Sequence, residues 1–180
     1  CCATIGLSLP ATYRALTGEI DAEKERRFYD LFLESADKVM VTNAVIYDGV
    51  PDLVYRLASS GYILGIFSTK FRSRIYQILD RYALTDPFSM IIGGEDVEAH
   101  KPDPEGLHLF LSKMDLKPAQ IVFVGDSLTD AQTARQGNVA FIAVLTGTTT
   151  AGQFSDYAPQ AILESVTDIE PHITQNGTIP

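Results

Sequence analysis

The 180-residue sequence predicts an α/β fold, in which a doubly wound (Rossmann-like) parallel sheet carries helices on both faces. From residue 50 onward, short apolar runs of strand length alternate with amphipathic segments of about three helical turns. Several of the apolar runs end directly in hydroxyl, lysine or carboxylate side chains. Such side chains are typical of ligand-binding loops, because ligands bind beyond the carboxyl ends of parallel strands.

A helical region over residues 9–40 precedes this alternation and does not join it. Asp21 is placed to cap a helix, and the acids that follow it suit the positive end of the helix dipole. Apolar side chains then recur at helical spacing and predict one apolar face: Phe28, Leu31, Phe32 and Val39. Residues 42–48 lead out of this region, and we expect a hinge there.

The alternating region begins with a helix over residues 50–61, because Pro51 stands early and Gly61 stands at the end. Another helix is expected to start with Asp103 as its N-cap and Pro104 in its first position. Continuous apolar runs predict buried parallel strands. The other predicted elements, in order, are a strand over 62–67, a helix over 71–82, strands over 89–94 and 121–125, a helix over 128–137, and strands over 139–145 and 161–165.

The composition narrows the classes of partner. With a net charge of −9 and a pI near 4.7, the surface repels nucleic acid and anionic membranes. An anionic substrate stays compatible, because a metal ion or local basic residues can reverse the field inside a cleft. No apolar run approaches the roughly 18 residues of a membrane span. The two cysteines, Cys1 and Cys2, are adjacent and form no spaced framework, which predicts a reducing, cytoplasmic location.

Three sets of polar side chains follow predicted strands and together describe a phosphate site. Ser68, with Thr69 and Lys70 after it, offers a hydroxyl and a turn at a helix N-terminus, where backbone N–H groups bind phosphoryl oxygens. Lys101 offers a positive charge. Asp126 and Asp130 offer hard oxygen ligands suited to Mg²⁺.

Each of these residues also has a structural interpretation when it is taken singly. Ser68 and Thr69 could cap the next helix, Lys101 could be a surface lysine, and Asp126 with Ser127 could form a helix N-cap. The ordered combination of hydroxyl, lysine and paired acids, each at the end of a strand, favours the phosphate site.

The residues that carry this pattern resemble motifs of the haloacid dehalogenase (HAD) superfamily, in the branch of phosphoglycolate phosphatases and their pyrophosphatase-like relatives. The stretches "IFSTK", "HKPDPEGLHLFLSKM" and "VFVGDSLTD" resemble the second, third and fourth family motifs. "IGLSLPATYRALTG" resembles the middle of the family's helical cap, and "YDGVPDLVYRLASSGY" resembles the segment that leads from the cap to the core. The resemblance implies a small partial helical cap over residues 1–47 and a HAD-like α/β core over residues 48–180.

The same resemblance implies a Mg²⁺-dependent phosphatase that acts on a small phosphate ester. Ser68 and Lys101 would stabilise the transferring phosphoryl group, with Thr69 and Lys70 contacting substrate or supporting Ser68. Asp126 would bind the metal ion, and Asp130 would bind or orient the metal and its waters. Cap residues 7–17 would govern the choice among phosphoglycolate, pyrophosphate and other esters, and no single side chain there decides it.

One departure from the family pattern is specific. In that family an aspartate of a D-x-D-G-T motif at the end of the first strand attacks the phosphoryl group, and this sequence contains no D-x-D-G-T. The sequence starts at Cys1 rather than at Met, so we expect a processed, trimmed or partial chain that lacks the first strand. In the family that strand lies mid-sheet, between the strands that end at Ser68 and Asp126. Its loss would leave exposed sheet edges, through which self-association becomes more plausible.

Two alternatives follow from this departure. The chain could be a truncated, non-catalytic phosphate-binding, metal-binding or interaction module with a HAD-like core. Alternatively, another acid such as Asp48, at the exit from the helical region, could replace the missing nucleophile.

Overall fold

The N-terminal region consists of two helices. The computed structural model describes residues 7–173, apart from the side chains of residues 36–38. Helix α1 spans Leu9–Thr17 and ends at Gly18, whose positive φ of 72° suits glycine. Helix α2 spans Ala22–Asn43, and the Asp21 carboxylate accepts from the backbone N–H groups of its first turn, as expected. Cys1 and Cys2 lie outside the described residues.

The apolar face expected on α2 is only partly covered. The Phe28 ring lies 5.7 Å from the Tyr13 ring of α1 and 6.2 Å from the Phe32 ring. Leu31, Phe32 and Val39 are nevertheless exposed. The apolar face of α2 is therefore partly exposed beyond Phe28, because α1 is too short to cover the rest of a 22-residue helix.

The alternation of helices and strands after residue 50 is confirmed. The elements are α3 Val50–Ser59, β1 Leu64–Phe67, α4 Arg72–Asp80, β2 Phe88–Ile92, α5 Glu105–Met114, β3 Val122–Gly125, α6 Leu128–Gln136, β4 Ala140–Val144, α7 Ala151–Phe154 and β5 Ala161–Leu163. Two details differ from expectation. Helix α5 starts one residue later, with Pro104 as its N-cap, while the Asp103 carboxylate accepts from the Glu105 N–H at 2.9 Å. Helix α7 was not predicted.

The strands are parallel but form two sheets. β1 pairs with β2, and β3, β4 and β5 follow one another in the second sheet. Between residues 7 and 173 no strand pairs with the free edges of β1 and β3. A cavity of about 820 Å³ separates these two strands. The sheet is thus interrupted where the family resemblance places the absent strand.

Helices cover both faces of the second sheet, as a doubly wound fold requires. Side chains alternate along β4. Phe141 and Ala143 pack among residues of α5 and α6, whereas Ile142 and Val144 pack against Leu53 of α3. The α/β class is confirmed by these layers.

The two residues that follow α4 hold the end of α2. The Arg81 guanidinium donates to the carbonyls of Val41 and Ala44, and the Tyr82 hydroxyl donates to the Ala44 carbonyl at 3.1 Å. Because the last carbonyls of a helix have no partner inside it, these donors satisfy the end of α2. The α1–α2 element is therefore docked on the helix that follows Ser68. Within the described residues, no helix is both long and apolar enough to cross a membrane.

Candidate active site

Ser68 lies directly after β1, in a turn that the neighbouring strand holds in place. Its N–H donates to the Ile92 carbonyl at 3.0 Å, and its hydroxyl oxygen accepts from the Lys70 N–H at 3.1 Å. The Lys70 carbonyl in turn accepts from the Gly94 N–H at 3.0 Å. The turns after β1 and β2 are thus joined, and Ser68 orders its own turn rather than capping α4.

An acid that the sequence analysis did not single out caps α4 instead. The Glu95 carboxylate accepts from the Arg72 N–H at 2.8 and 3.0 Å. Asp96, the next residue, forms an ion pair of 2.6 Å with the Arg72 guanidinium. At Arg72 the N-terminus of α4 therefore already binds a carboxylate, so this N–H group is not open to a phosphoryl oxygen. The only sequence signal was the position of both acids after a strand.

Lys101 is not a surface lysine. Its ammonium lies 2.6 Å from the Asp130 Oδ1, and the two side chains are only 11% and 8% exposed. The ammonium also lies over the rings of Phe67 and Phe123, at 5.4 and 5.8 Å from their centroids. The rings belong to β1 and β3, so Lys101 sits between the ends of the two sheets.

The loop that carries Lys101 is held by the first residue of α5. The Glu105 carboxylate accepts from the backbone N–H groups of Ala99 and Glu98, at 2.7 and 3.1 Å. The hydrogen bond from the Ala99 N–H, and after it the one from the Glu98 N–H, hold the pKa of Glu105 below its usual value. Both hydrogen bonds stabilise the charged form of the carboxylate. An acid in the first turn of a helix was the only sequence signal for this role.

Asp130 has partners for both carboxylate oxygens. Oδ1 meets Lys101, while Oδ2 accepts from the Ser127 N–H at 3.2 Å and from the Ser127 hydroxyl. The Ser127 oxygen also accepts from the Asp130 N–H at 3.1 Å, which completes a capping box at the start of α6. The N-cap is therefore Ser127, and Asp126 is left for another role.

Asp126 follows β3 and is half-buried. Burial raises the pKa of its carboxyl, and the nearby charge of Asp130 raises it further, while Lys101 and Lys70 partly oppose both effects. A buried carboxylate beside a second carboxylate is stabilised by a bound cation, so this pair fits Mg²⁺. The described residues contain no cluster of three or more His, Cys, Asp or Glu side chains placed to hold a metal ion. Within residues 7–173, further ligands would be backbone oxygens, water or substrate.

Because Gly125 and Gly147 have no Cβ, Asp130 and Asp126 can lie close to the backbone at these two positions. A Cβ on Gly125 would lie 2.4 Å from the Asp130 Cβ. A Cβ on Gly147, in the loop after β4, would lie 2.7 Å from the Asp126 carbonyl oxygen and 2.8 Å from its Oδ2. The loop after β4 therefore forms one wall around Asp126, which the sequence analysis did not recognise.

Gly147→Ala is expected to lower the free energy of unfolding by about 1–2 kcal/mol and to weaken Mg²⁺ binding, because the new methyl group displaces Asp126. Urea denaturation and calorimetric Mg²⁺ titration measure the two effects. Gly152→Ala is the matched control, since no atom lies within 4 Å of its added Cβ. Equal Mg²⁺ affinity in both variants would contradict the role given to Gly147.

The structure places some of the predicted site residues in direct contact with one another. For the others, no contact among the described residues fixes their distance from this group. Lys101 and Asp130 are in direct contact, and Lys101 and Lys70 both act on the charge of Asp126. Ser68 follows β1, whose Phe67 ring lies 6.3 Å from the Phe123 ring of β3. Thr69 contributes its carbonyl to a close approach with Gly94.

Comparison with known proteins places these residues in a family. Residues 1–144 match the model of the haloacid dehalogenase-like hydrolases. A phosphoglycolate phosphatase of Salmonella typhimurium is 30% identical over 154 residues, which is 85% of this chain and 61% of that protein. The chain thus spans about three fifths of the length of this curated relative.

Solved structures agree with the sequence match. A haloacid dehalogenase-like hydrolase from Bacteroides fragilis is 36% identical with a TM-score of 0.90, covering 93% of this chain and 80% of that one. A predicted phosphoglycolate phosphatase from Haemophilus somnus is 25% identical with a TM-score of 0.74, covering 84% and 67% of the two chains. The matched residues 1–144 include the stretches around Ser68, Lys101 and Asp126, and this chain belongs to the haloacid dehalogenase-like hydrolase family.

Proposed function

We propose that this chain works in a Mg²⁺-dependent phosphatase that hydrolyses a small phosphate ester. The observation that supports this most strongly is the meeting of Lys101, Asp126 and Asp130 at the ends of the parallel strands. Cationic and carboxylate groups at this edge suit a substrate whose charge changes during phosphoryl transfer. The similarity to phosphoglycolate phosphatases favours the same chemistry.

The roles differ among the acids and the lysine. Asp126 would hold Mg²⁺, which screens charge at the phosphoryl group when bound. Asp130 would act on the metal ion through its waters and would hold Lys101 in place, since both of its oxygens already have partners. Lys101 would bind a phosphoryl oxygen from its place over the two rings.

The other predicted groups would serve the substrate. Ser68 would donate its hydroxyl hydrogen to a phosphoryl oxygen while its oxygen accepts from the Lys70 N–H. Thr69 and Lys70 would contact substrate or support Ser68. Residues 1–47 would form the partial cap, residues 48–180 the core, and closure of the cap would exclude water from a small phosphorylated substrate in the cytoplasm.

The proposal is tested by binding and by turnover. Calorimetry on the 180-residue chain is expected to show Mg²⁺ binding and Mg²⁺-dependent binding of inorganic phosphate. The full polypeptide that carries this chain is expected to release phosphate from p-nitrophenyl phosphate only with Mg²⁺, and Asp126→Ala is expected to lower that rate by a factor on the order of a hundred.

The controls separate the competing interpretations. Asp48→Asn is expected to leave the rate unchanged, because Asp48 is exposed in the turn before α3. Binding of Mg²⁺ and phosphate without any turnover, and without covalent capture by beryllium fluoride, would instead support a non-catalytic module. Full activity of Asp126→Ala would refute the metal role of Asp126.

A further inference from the structure

A second pocket, of about 410 Å³, lies at the opposite end of β4 from the candidate active site. Residues of α6, of the start of β4 and of the segment that precedes β5 line it. Ala140, the first residue of β4, borders this pocket, whereas Gly147 lies beside Asp126 in the loop after the strand. The five residues of β4, at about 3.3 Å each, separate its two ends by about 17 Å. A ligand in this pocket therefore shares no contact with the proposed catalytic groups.

Arg135 gives the pocket its charge. Among the described residues that line the pocket, Arg135 alone is charged. No carboxylate between residues 7 and 173 pairs with its guanidinium, although the chain carries 23 acidic and 14 basic residues. An arginine without a carboxylate in a concave site attracts an anion, and its single charge balances one negative charge.

The guanidinium is held in place by an aromatic ring. It lies over the Tyr157 ring, 5.2 Å from the centroid, and the Tyr157 hydroxyl accepts from the Gln132 side-chain amide at 2.9 Å. Because the contact with the ring uses none of the guanidinium N–H groups as hydrogen-bond donors, these groups stay available to a ligand. Their planar fork matches the two oxygens of a carboxylate.

Two amide side chains line the pocket beside Arg135. The backbone N–H groups of Asn138 and Gln160 donate to the carbonyls of Arg135 and Phe141, at 3.3 and 2.8 Å. No described group hydrogen-bonds to either side-chain amide, and both side chains are exposed, so a ligand can reach them. The other lining residues include Val139 and Ala158, which provide apolar walls. A few polar groups that converge on apolar walls are typical of a site for a small molecule.

We propose that this pocket binds a small organic carboxylate with an apolar body. Arg135 pairs with the carboxylate, Asn138 and Gln160 donate hydrogen bonds from their amides, and the apolar body packs on Val139 and Ala158. A phosphate dianion suits the pocket less well, since it exceeds the single positive charge of the lining. Arg135 also lies in the last turn of α6, where the helix dipole is negative. The ligand therefore belongs to a different chemical class from the substrate proposed for the other end of β4.

The test uses benzoate and the 180-residue chain, followed by ¹H–¹⁵N NMR. The backbone N–H signals of Val139, Ala158 and Gln160 are expected to shift saturably, with a Kd of about 1 mM. Benzamide has the same shape without the charge and is expected to bind about tenfold more weakly or worse. Saturating Mg²⁺ and inorganic phosphate are expected to leave the benzoate affinity unchanged, so this test succeeds or fails independently of the proposed phosphatase activity.

Variants of the chain locate the site. Arg135→Met is expected to weaken benzoate binding about tenfold or more, because it removes the charge and the fork of donors. Asn138→Gly removes one amide at a position whose φ of 52° glycine adopts freely, and it is expected to weaken binding about threefold. Arg26→Met is the matched control, because Arg26 is an exposed arginine of α2 that does not line the pocket. Circular dichroism checks that each variant stays folded.

Three outcomes would overturn the proposal. Unchanged benzoate affinity in Arg135→Met would remove the arginine from the site. Equal affinity for benzamide and benzoate would show that the pocket does not recognise a carboxylate. Competition between benzoate and Mg²⁺ with phosphate would place benzoate in the candidate active site instead.

Discussion

Replacing Lys101 by Met is expected to lower the free energy of unfolding by about 3–5 kcal/mol, because the substitution leaves the Asp130 carboxylate buried without its cation. The pair is 2.6 Å long and its side chains are almost fully shielded from water. Loss of one partner from such a pair costs more than the pair itself contributes, since the remaining charge cannot be hydrated. Urea denaturation followed by circular dichroism measures the change.

Two further variants show whether the effect belongs to the buried charge. Lys24→Met removes a lysine from the exposed ion pair with Glu19 and is expected to change stability very little. Combining Lys101→Met with Asp130→Asn removes both charges and is expected to recover at least about 1 kcal/mol of the loss. A double variant that is no more stable than Lys101→Met would show that Lys101 acts by packing on Phe67 and Phe123 instead.

Replacing Asp126 by Asn is expected to raise the melting temperature of the metal-free protein at pH 7 by about 2 °C and to abolish its stabilisation by Mg²⁺. Burial, with the charge of Asp130, raises the pKa of Asp126 in the folded state. Stability from this group is therefore complete below the unfolded-state pKa and is lost as the pH rises through the folded-state pKa. At pH 7 the charged carboxylate disfavours folding, and a neutral amide removes that penalty.

Measurements at different pH values, and with and without Mg²⁺, test this second prediction. Below about pH 4, where Asp is protonated in both states, the advantage of Asp126→Asn is expected to vanish. With saturating Mg²⁺ the wild-type chain is expected to have the higher melting temperature, because only the wild-type chain gains binding energy from the ion. Asp48→Asn replaces an exposed acid and is the control. It is expected to change neither the melting temperature of the metal-free protein nor its stabilisation by Mg²⁺. Stabilisation of Asp126→Asn by Mg²⁺ to the wild-type extent would rule out Asp126 as the metal ligand.

Local sequence patterns were sufficient to predict most of the elements. The run from Ile121 to Gly125 gave β3, since a short, continuous apolar stretch suits a strand buried on both faces. Asp21 capped α2 as expected, because capping depends on atoms only two or three residues apart. Helix α7 was missed, since four residues after a run of threonines show no period.

The sequence suggested which residues belong to the candidate site, but it did not predict the contacts that they make. Ser68, Lys101 and Asp126 were proposed together because parallel strands bring their carboxyl ends to one edge of a sheet. That Lys101 pairs with Asp130, 29 residues away, depends on how the two sheets face each other. The cap on α4 likewise comes from Glu95, 23 residues further along the chain.

The sequence by itself determined the α/β class, the order of the elements and the residue types at the ends of the strands, because periodicity, capping and turn chemistry act over a few residues. Only the tertiary structure decided which side chains line the gap between β1 and β3, and that the carboxyl group of Asp126 is half-buried beside Asp130, which raises its pKa. Strand pairing, burial and the distance between charges join residues far apart in the chain, so no local pattern encodes them.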